Sequence, residues 1–339
     1  MTQTDAAATL RPAADAAPVL RVDDLQVRFR IPGGVMRAVD GVSFNMWHGE
    51  TLGLVGESGS GKTMTSLALL RLLETPPAEI IARSVVFEAH DLLRLPERDM
   101  ADLRGSRLSM IFQEPMTSLN PLMTIGRQID EPLIRHLGLS SRAARARTHD
   151  LLARVGIPRP EQAATVYPHQ LSGGMRQRAM IAIALSCRPS VLVADEPTTA
   201  LDVTIQAQIL ELLEELQREM GTAILLITHD LAVIAETAHR VAVMYAGRIV
   251  ETASVADLFR TPLHPYTQGL LRSIPRIVRH PEAELPEIPG TVPSPGELPE
   301  GCAFAPRCAL ADHYCHSTRP ILEPVGDGRE VACWKPGHG

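Results

Sequence analysis

The residues best suited to chemistry lie in one octapeptide, residues 56–63, which reads Gly-Glu-Ser-Gly-Ser-Gly-Lys-Thr. It fits the pattern Gly-x4-Gly-Lys-Ser/Thr, whose glycines let backbone N–H groups turn inward around phosphate oxygens. Lys62 adds a positive charge at the β- and γ-phosphates, and Thr63 offers a hydroxyl to Mg²⁺. The pattern predicts a site for a nucleoside triphosphate, formed by Gly56, Glu57, Ser58, Gly59, Ser60, Gly61, Lys62 and Thr63.

Two adjacent carboxylates, Asp195 and Glu196, follow the apolar run 191–194. In an enzyme with the loop described above, the first carboxylate of such a pair holds the Mg²⁺ shell. The second can polarise an attacking water as a general base. We therefore expect Asp195 to be a Mg²⁺ ligand and Glu196 to be catalytic.

The elements that must position these groups follow from the hydrophobic pattern. An apolar strand, 52–55, precedes the octapeptide, and residues 62–73 have a helical pattern that would aim a positive dipole end at the anion. Further strands are expected at 191–194 and 222–228, with an amphipathic helix at 203–220 between them. Strands that alternate with helices predict an α/β fold with a parallel sheet.

A third motif, Leu-Ser-Gly-Gly-Met at 171–175, places Ser-Gly-Gly just before a predicted helix and so forms a second potential anion site. Together with the octapeptide and the carboxylate pair, it resembles the signature of ATP-binding cassette (ABC) ATPases. The resemblance implies a RecA-like core with an antiparallel β subdomain and a helical subdomain. It also implies that Ser172, Gly173 and Gly174 act in trans, on ATP bound by a second ATPase subunit.

The resemblance assigns roles to four more residues. Gln113 is similar to the residue that reaches Mg²⁺ and the attacking water, and His229 is similar to the histidine that contacts the γ-phosphate. Asp202 belongs to an Ala-Leu-Asp triplet that resembles the loop crossing the dimer interface. Phe29 is the candidate for an aromatic ring that stacks on adenine, although an ordinary strand aromatic fits the same pattern.

The C-terminal part of the sequence points to one group within this family. Pro-Leu-His-Pro-Tyr-Thr at 262–267 and Gly-Cys-Ala-Phe-Ala-Pro-Arg-Cys at 301–308 resemble the extension of oligopeptide/dipeptide importers, a family that includes nickel and glutathione uptake systems. The resemblance implies an ATPase that powers peptide import at the cytoplasmic face of the cell membrane. Its implied partners are a related second ATPase subunit, two transmembrane permease subunits and a substrate-binding protein.

Four cysteines, Cys302, Cys308, Cys315 and Cys333, are spaced as C-x5-C-x6-C-x17-C. Four thiols so close in sequence suggest one tetrathiolate site. Zinc is one candidate, but its commoner signature has shorter spacings, and these spacings favour a [4Fe–4S] cluster, which some members of the family are thought to carry here. Reduced thiols packed in a small domain are the remaining alternative.

Composition limits the function classes. The net charge is −6 and only 4% of residues are aromatic, which argues against a nucleic-acid partner that binds by charge or base stacking.

We expect residues 1–18 to be a disordered leader. Residues 19–260 are expected to form the ABC domain, with its helical subdomain at about 114–175, and residues 261–339 to form a C-terminal extension with the four-cysteine site.

Overall fold

The computed structural model describes residues 17–32, 34–199, 202–274 and 287–338. The strands are β1 (Leu20–Ile31), β2 (Gly34–Met46), β3 (Thr51–Val55), β4 (Ala78–Ile81), β5 (Ser84–Phe87), β6 (His90–Asp91), β7 (Leu108–Ile111), β8 (Val191–Asp195), β9 (Ala223–Thr228), β10 (Arg240–Tyr245), β11 (Arg248–Ser254), β12 (Glu323–Gly326) and β13 (Arg329–Val331). Apart from residues 17 and 18, the expected leader lies outside the described residues.

The helices connect these strands and cover the sheets. They are α1 (Lys62–Leu69), α2 (Glu97–Leu103), α3 (Pro115–Ser118), α4 (Ile125–Leu137), α5 (Ser141–Arg154), α6 (Pro160–Ala163), α7 (Gly173–Leu185), α8 (Val203–Met220), α9 (Leu231–Thr237), α10 (Val255–Arg260), α11 (Pro265–Arg272) and α12 (His313–Ser317). Short 3₁₀ turns occur at Pro168–Gln170 and Ala305–Arg307. None of the helices within the described ranges has both the length and the apolar character of a membrane span.

The main sheet is built around five parallel strands in the order β7-β8-β9-β3-β10. Every residue of β3, β8 and β9 is buried, as expected for parallel strands covered on both faces. Since parallel strands end at one edge, the segments after β3, β8 and β9 lie side by side. This edge receives the octapeptide, the Asp195–Glu196 pair and His229, and the predicted parallel α/β sheet is confirmed.

A second sheet, formed by β1, β2, β4, β5 and β6, is antiparallel. Its apolar side chains, such as Leu25 and Val27, share a hydrophobic cluster with Leu52 and Leu54 of β3. The two sheets are therefore held together by one core, which fixes the antiparallel sheet against the strand that leads into the octapeptide.

Helices α3 to α7 lie between β7 and β8 in the chain. A buried carboxylate joins two of them, because Asp130 on α4 accepts hydrogen bonds from Arg145 Nε at 2.9 Å and Thr148 Oγ1 at 2.6 Å on α5. Ile129, Leu133 and other side chains from these helices continue the hydrophobic cluster of the main sheet. This packing carries the Ser-Gly-Gly motif at the start of α7.

One expected helix has the expected bounds, and another is shorter than expected. Helix α8 has the expected bounds and ends at Gly221, whose φ of 68° is the left-handed conformation that a glycine adopts easily. Helix α1 ends at Leu69, earlier than the expected residue 73. The reason is Arg71, whose φ of 51° turns the backbone while its guanidinium donates to the carbonyl oxygens of Leu92 and Leu95.

The last described residues are part of the main sheet. Strand β13 pairs antiparallel with β11, and β12 pairs with β13. Phe304 is buried in the same hydrophobic cluster as the parallel strands. The C-terminal residues 287–338, hereafter the C-terminal segment, are thereby packed against the main sheet.

Candidate nucleotide site

Residues 56–63, hereafter the phosphate-binding loop, join β3 to α1. A Cβ atom at Gly56 would overlap the carbonyl oxygen of Met244, and one at Gly61 would lie 2.5 Å from the carbonyl oxygen of Ala38. Gly61 also has a φ of 103° as the N-cap of α1. The loop can therefore follow this path only with glycine at both positions, and the path leads directly into the start of a helix, where backbone N–H groups are free to bind an anion.

Lys62 is buried at the base of this loop, with 6% of its surface exposed. Its Nζ donates to the carbonyl oxygens of Gly56 at 2.7 Å and Glu57 at 3.0 Å. Burial lowers the pKa of Lys62, whereas the charges of Glu196, Asp195 and Glu57 oppose that shift. The ammonium group thus lies within the field of three carboxylates and is turned into the loop that would hold the phosphates.

Asp195 lies at the end of β8, next to the start of α1. Its carboxylate accepts hydrogen bonds from Thr63 Oγ1 at 3.4 Å and from Ser66 Oγ at 3.3 Å. Burial raises the pKa of Asp195, in spite of these hydrogen bonds. A divalent cation would offset that cost, and Mg²⁺ is usually held by one or two carboxylates together with substrate phosphates, so the oxygen donors Thr63 and Asp195 fit such an ion.

Glu196 is held by three side chains from different segments. It accepts hydrogen bonds from Gln113 Nε2 at 3.0 Å and Thr199 Oγ1 at 2.8 Å, and it lies 3.3 Å from His229 Nδ1. Partial burial opposes its ionisation, but the hydrogen bonds from Thr199 and His229 and the charges of His229 and Lys62 lower its pKa overall. The carboxylate is therefore kept ionised and oriented, which are the properties a general base needs.

Beside the phosphate-binding loop, the structure brings together Lys62, Thr63, Asp195, Glu196, Gln113 and His229. It places the expected trans residues, Asp202 and Phe29 elsewhere. Ser172 caps α7 by accepting a hydrogen bond from Met175 N at 3.4 Å, and Ser172 and Gly173 are exposed. Asp202 is also exposed and caps α8 by accepting a hydrogen bond from Ile205 N. Phe29 is half-buried on β1 and packs against the core that the two sheets share, so its stacking on adenine stays a prediction.

Sequence reasoning missed two residues of the site for which a local signal exists. Ser66 follows Thr63 by three positions in α1, and residues at this spacing share a helix face. Thr199 follows Glu196 by three positions and reaches back to its carboxylate. A third residue, Tyr266, accepts a hydrogen bond from the Glu57 backbone N–H at 2.8 Å, and no local pattern predicts a contact between residues so far apart in the chain.

The four cysteines of the C-terminal segment influence one another. Burial raises the pKa of Cys333 to about 11, and the charges of Cys302, Cys308 and Cys315 add to this shift. Within the described ranges, however, no group of three or more His, Cys, Asp or Glu side chains is arranged to hold a metal ion. The thiols are therefore neighbours, but their arrangement in this structure does not form the expected tetrathiolate site.

Comparisons with known proteins identify the family of this chain. The family model described as "ABC transporter" matches residues 39–199, and the model described as "Oligopeptide/dipeptide transporter, C-terminal region" matches residues 250–315. The chain is 53% identical to the oligopeptide transport ATP-binding protein AppD of Bacillus subtilis over 93% of this chain and 96% of that protein. It is 49% identical to the dipeptide transport ATP-binding protein DppD of Escherichia coli, over 94% and 97% of the two chains.

A solved structure shares the fold. The dimeric ATP-binding cassette MJ0796, in a post-hydrolysis state with ADP and Pi, superimposes with a TM-score of 0.63 at 26% identity and covers 70% of this chain and 98% of its own. The α/β cassette fold and the ATPase class that the sequence predicts are thus confirmed. The chain belongs to the ABC transporter family and carries the C-terminal region of its oligopeptide/dipeptide transporters.

Proposed function

We propose that this chain is the ATP-hydrolysing subunit that powers the import of di- or oligopeptides through an ABC transporter. The observation that carries the proposal is the grouping of Lys62, Asp195 and an ionised, three-fold hydrogen-bonded Glu196 at one edge of the sheet. The names of the curated relatives, which are oligopeptide and dipeptide transport ATP-binding proteins, supply the substrate class.

The residues have the following roles in this proposal. The backbone N–H groups of the phosphate-binding loop and Lys62 bind the phosphates, and Thr63, Asp195 and Gln113 would hold Mg²⁺, which neutralises charge on the phosphates when bound. Glu196 accepts a proton from the attacking water, and His229 stabilises charge at the γ-phosphate. Phe29 stacks on adenine.

Ser172, Gly173 and Gly174 would complete the ATP site of a second subunit, and Asp202 would lie at the same interface. The exposure of Ser172 and Asp202 supports this role, as does the dimeric form of the solved relative MJ0796. The test is a mixed dimer in which one subunit carries Ser172→Ala. We expect a hydrolysis defect at the site of the unmodified subunit, whereas a defect at the variant's own site would contradict the arrangement.

The proposed partners are a related second ATPase subunit, two permease subunits and a substrate-binding protein, with the chain bound to the cytoplasmic face of the cell membrane. Apolar side chains near Gln113 support a docking site for the permeases, because Met116 is 60% exposed and Leu122 is 85% exposed. Contiguous exposed apolar side chains are typical of interaction surfaces.

The experiment that tests the function uses a tagged Glu196→Gln chain, which should bind ATP without turning it over. Membranes of the native host are solubilised in detergent with Mg·ATP, and the proteins that co-purify are identified by mass spectrometry. Two permeases and a second ATPase are the expected result, with Lys62→Ala as the control that binds ATP more weakly. Recovery of ribosomal or repair proteins alone would overturn the transport assignment and leave the ATPase chemistry.

We also infer that the C-terminal residues 261–339 form a small extension whose four cysteines take up a [4Fe–4S] cluster, with zinc or free thiols as the other outcomes. The spacing of the four cysteines and their buried or half-buried position as free thiols support this proposal. Ligation requires thiolates, and the arrangement of the thiols in this structure would have to close around the cluster. Iron, sulfide and zinc analysis of anaerobically purified protein distinguishes the three outcomes, and no step of ATP hydrolysis depends on them.

A further inference from the structure

An arginine of the C-terminal segment reaches the phosphate-binding loop. Arg307 Nη1 donates to Glu57 Oε2 at 2.6 Å and Arg307 Nη2 donates to Glu57 Oε1 at 3.0 Å. Two parallel hydrogen bonds of this kind fix both the distance and the orientation of the partners. The two residues are separated by 250 positions in the chain, so the contact connects the last part of the protein to the second residue of the loop.

The arginine itself is tightly held. Only 5% of its side chain is exposed, and it also donates to the carbonyl oxygens of Pro289 at 2.8 Å and Ile288 at 3.2 Å. Its guanidinium lies 5.8 Å from the ring centre of Tyr245 and 5.9 Å from that of Phe304. These contacts hold the guanidinium in the orientation that faces Glu57. The resulting ion pair is mostly shielded from water, and such a pair is stronger than an exposed one.

The same part of the loop is also held through its backbone. The Glu57 N–H donates to the hydroxyl of the fully buried Tyr266, and Lys62 Nζ donates to the Glu57 carbonyl oxygen. Tyr266 packs against Tyr245 and Phe304, with ring centres 4.6 Å and 5.5 Å away. The side chain and the N–H of Glu57 are thus fixed by one aromatic cluster, while its carbonyl contacts the lysine that is to meet the phosphates.

The charge of Glu57 gives this contact a functional meaning. Its carboxylate acts electrostatically on Lys62, so it is also close enough to oppose the binding of a polyphosphate. Arg307 provides the opposite charge directly on that carboxylate. Without the arginine, the loop would carry an uncompensated negative charge beside the anion it has to bind.

We propose that Arg307 is a positioning residue for the phosphate-binding loop, which neutralises and orients Glu57 so that the loop accepts ATP. The proposal rests on the ATPase function given above and adds a role for the C-terminal segment in nucleotide binding. Arg307 does not touch ATP in this account and acts only through Glu57.

The test measures the Kd of the full-length chain for a fluorescent ATP analogue with Mg²⁺. Arg307→Ala should weaken binding about tenfold, within the range found for residues coupled in one ion-pair network. Adding Glu57→Gln to Arg307→Ala removes the unpaired carboxylate, so the double variant should recover to within about threefold of Glu57→Gln alone. A purely structural role would give no such recovery.

A matched control and a conservative variant complete the design. Arg319 lies in the same segment and donates to the Gly301 and Pro299 carbonyl oxygens and to Asp40 Oδ2, none of which belongs to the loop. Arg319→Ala removes a comparable set of contacts but none to Glu57. It should therefore leave the Kd within about twofold of the wild type. Arg307→Lys keeps the charge without the paired hydrogen bonds, so its Kd should lie between those of wild type and Arg307→Ala, and it replaces the alanine variant if that variant does not fold.

The possible outcomes distinguish a failure of this inference from a failure of the proposed function. Wild-type affinity in Arg307→Ala, or in Arg307→Lys where the alanine variant does not fold, would overturn the role of Arg307. So would a double variant that binds as weakly as Arg307→Ala, or an equal defect in Arg319→Ala. In each of these cases the wild-type chain still binds and hydrolyses ATP, and the proposed function stands. A wild-type chain without ATP binding would overturn the proposed function and this inference together.

Discussion

Replacement of Glu196 by glutamine tests the proposed chemistry most directly. The change removes the carboxylate but keeps the size of the side chain and an oxygen that can accept hydrogen bonds from Gln113 and Thr199. We expect a large loss of hydrolysis with no loss of ATP binding. These two effects have different physical origins and can be estimated separately.

General-base catalysis contributes roughly 10²- to 10⁴-fold to a rate, which corresponds to about 3 to 5 kcal/mol of activation free energy. We therefore expect kcat to fall by about that factor. The expected effect on ATP binding has the opposite sign, because the substitution should not weaken it. Glu196 is the foremost of the carboxylates whose charges act on Lys62, and its neutralisation removes a negative charge from a site that must accept a polyanion. The Kd for Mg·ATP should thus be unchanged or lower.

The assay combines single-turnover hydrolysis of radiolabelled ATP with equilibrium binding of a fluorescent analogue. Glu214→Gln is the matched control, because Glu214 is a half-exposed glutamate on α8 that pairs with Arg218, and both measurements should stay at wild-type values. A Glu196→Gln chain that hydrolyses ATP within about tenfold of the wild-type rate would refute the assignment of the general base. Weaker ATP binding in the same variant would refute the electrostatic argument.

Three further changes test other contacts. Lys62→Ala removes a charged hydrogen-bond donor, so the Kd for Mg·ATP in the same titration should rise by roughly 10- to 150-fold; an unchanged Kd would contradict its role. Tyr266→Phe leaves the Glu57 N–H without its acceptor and should lower the free energy of unfolding in urea by about 1 to 3 kcal/mol, whereas wild-type stability would show that this hydrogen bond is dispensable. Burial lowers the pKa of His264 from 6.5 to about 3. As the pH falls, this histidine is therefore protonated in the unfolded chain before it is protonated in the folded chain. The free energy of unfolding should then decrease by about 1.4 kcal/mol per pH unit below pH 6.5. Urea unfolding at several pH values should show a smaller loss for His264→Gln, and identical slopes for both chains would argue against a buried neutral histidine.

The sequence predicts the site residues well where the signal is local. The strand before residue 56, the glycine pattern and the helix starting at Lys62 follow one another in the chain, so their geometry depends on neighbouring residues and on φ values that only glycine adopts easily. Helix α8 has the expected bounds for the same reason, since its apolar period and the glycine that ends it are local features. The early end of α1 was not predictable, because Arg71 is drawn to the carbonyl oxygens of Leu92 and Leu95.

By itself, the sequence determined that this is an ABC ATPase with a parallel α/β core, because its motifs are contiguous and their order is typical of the family. Only the tertiary structure decided how Gln113 and His229 converge on Glu196, and that Arg307 and Tyr266 hold Glu57. These contacts join segments that hydrophobic packing brings together from distant parts of the chain. Periodicity and spacing describe the elements one at a time, whereas the pairing of their ends depends on how the whole core is packed.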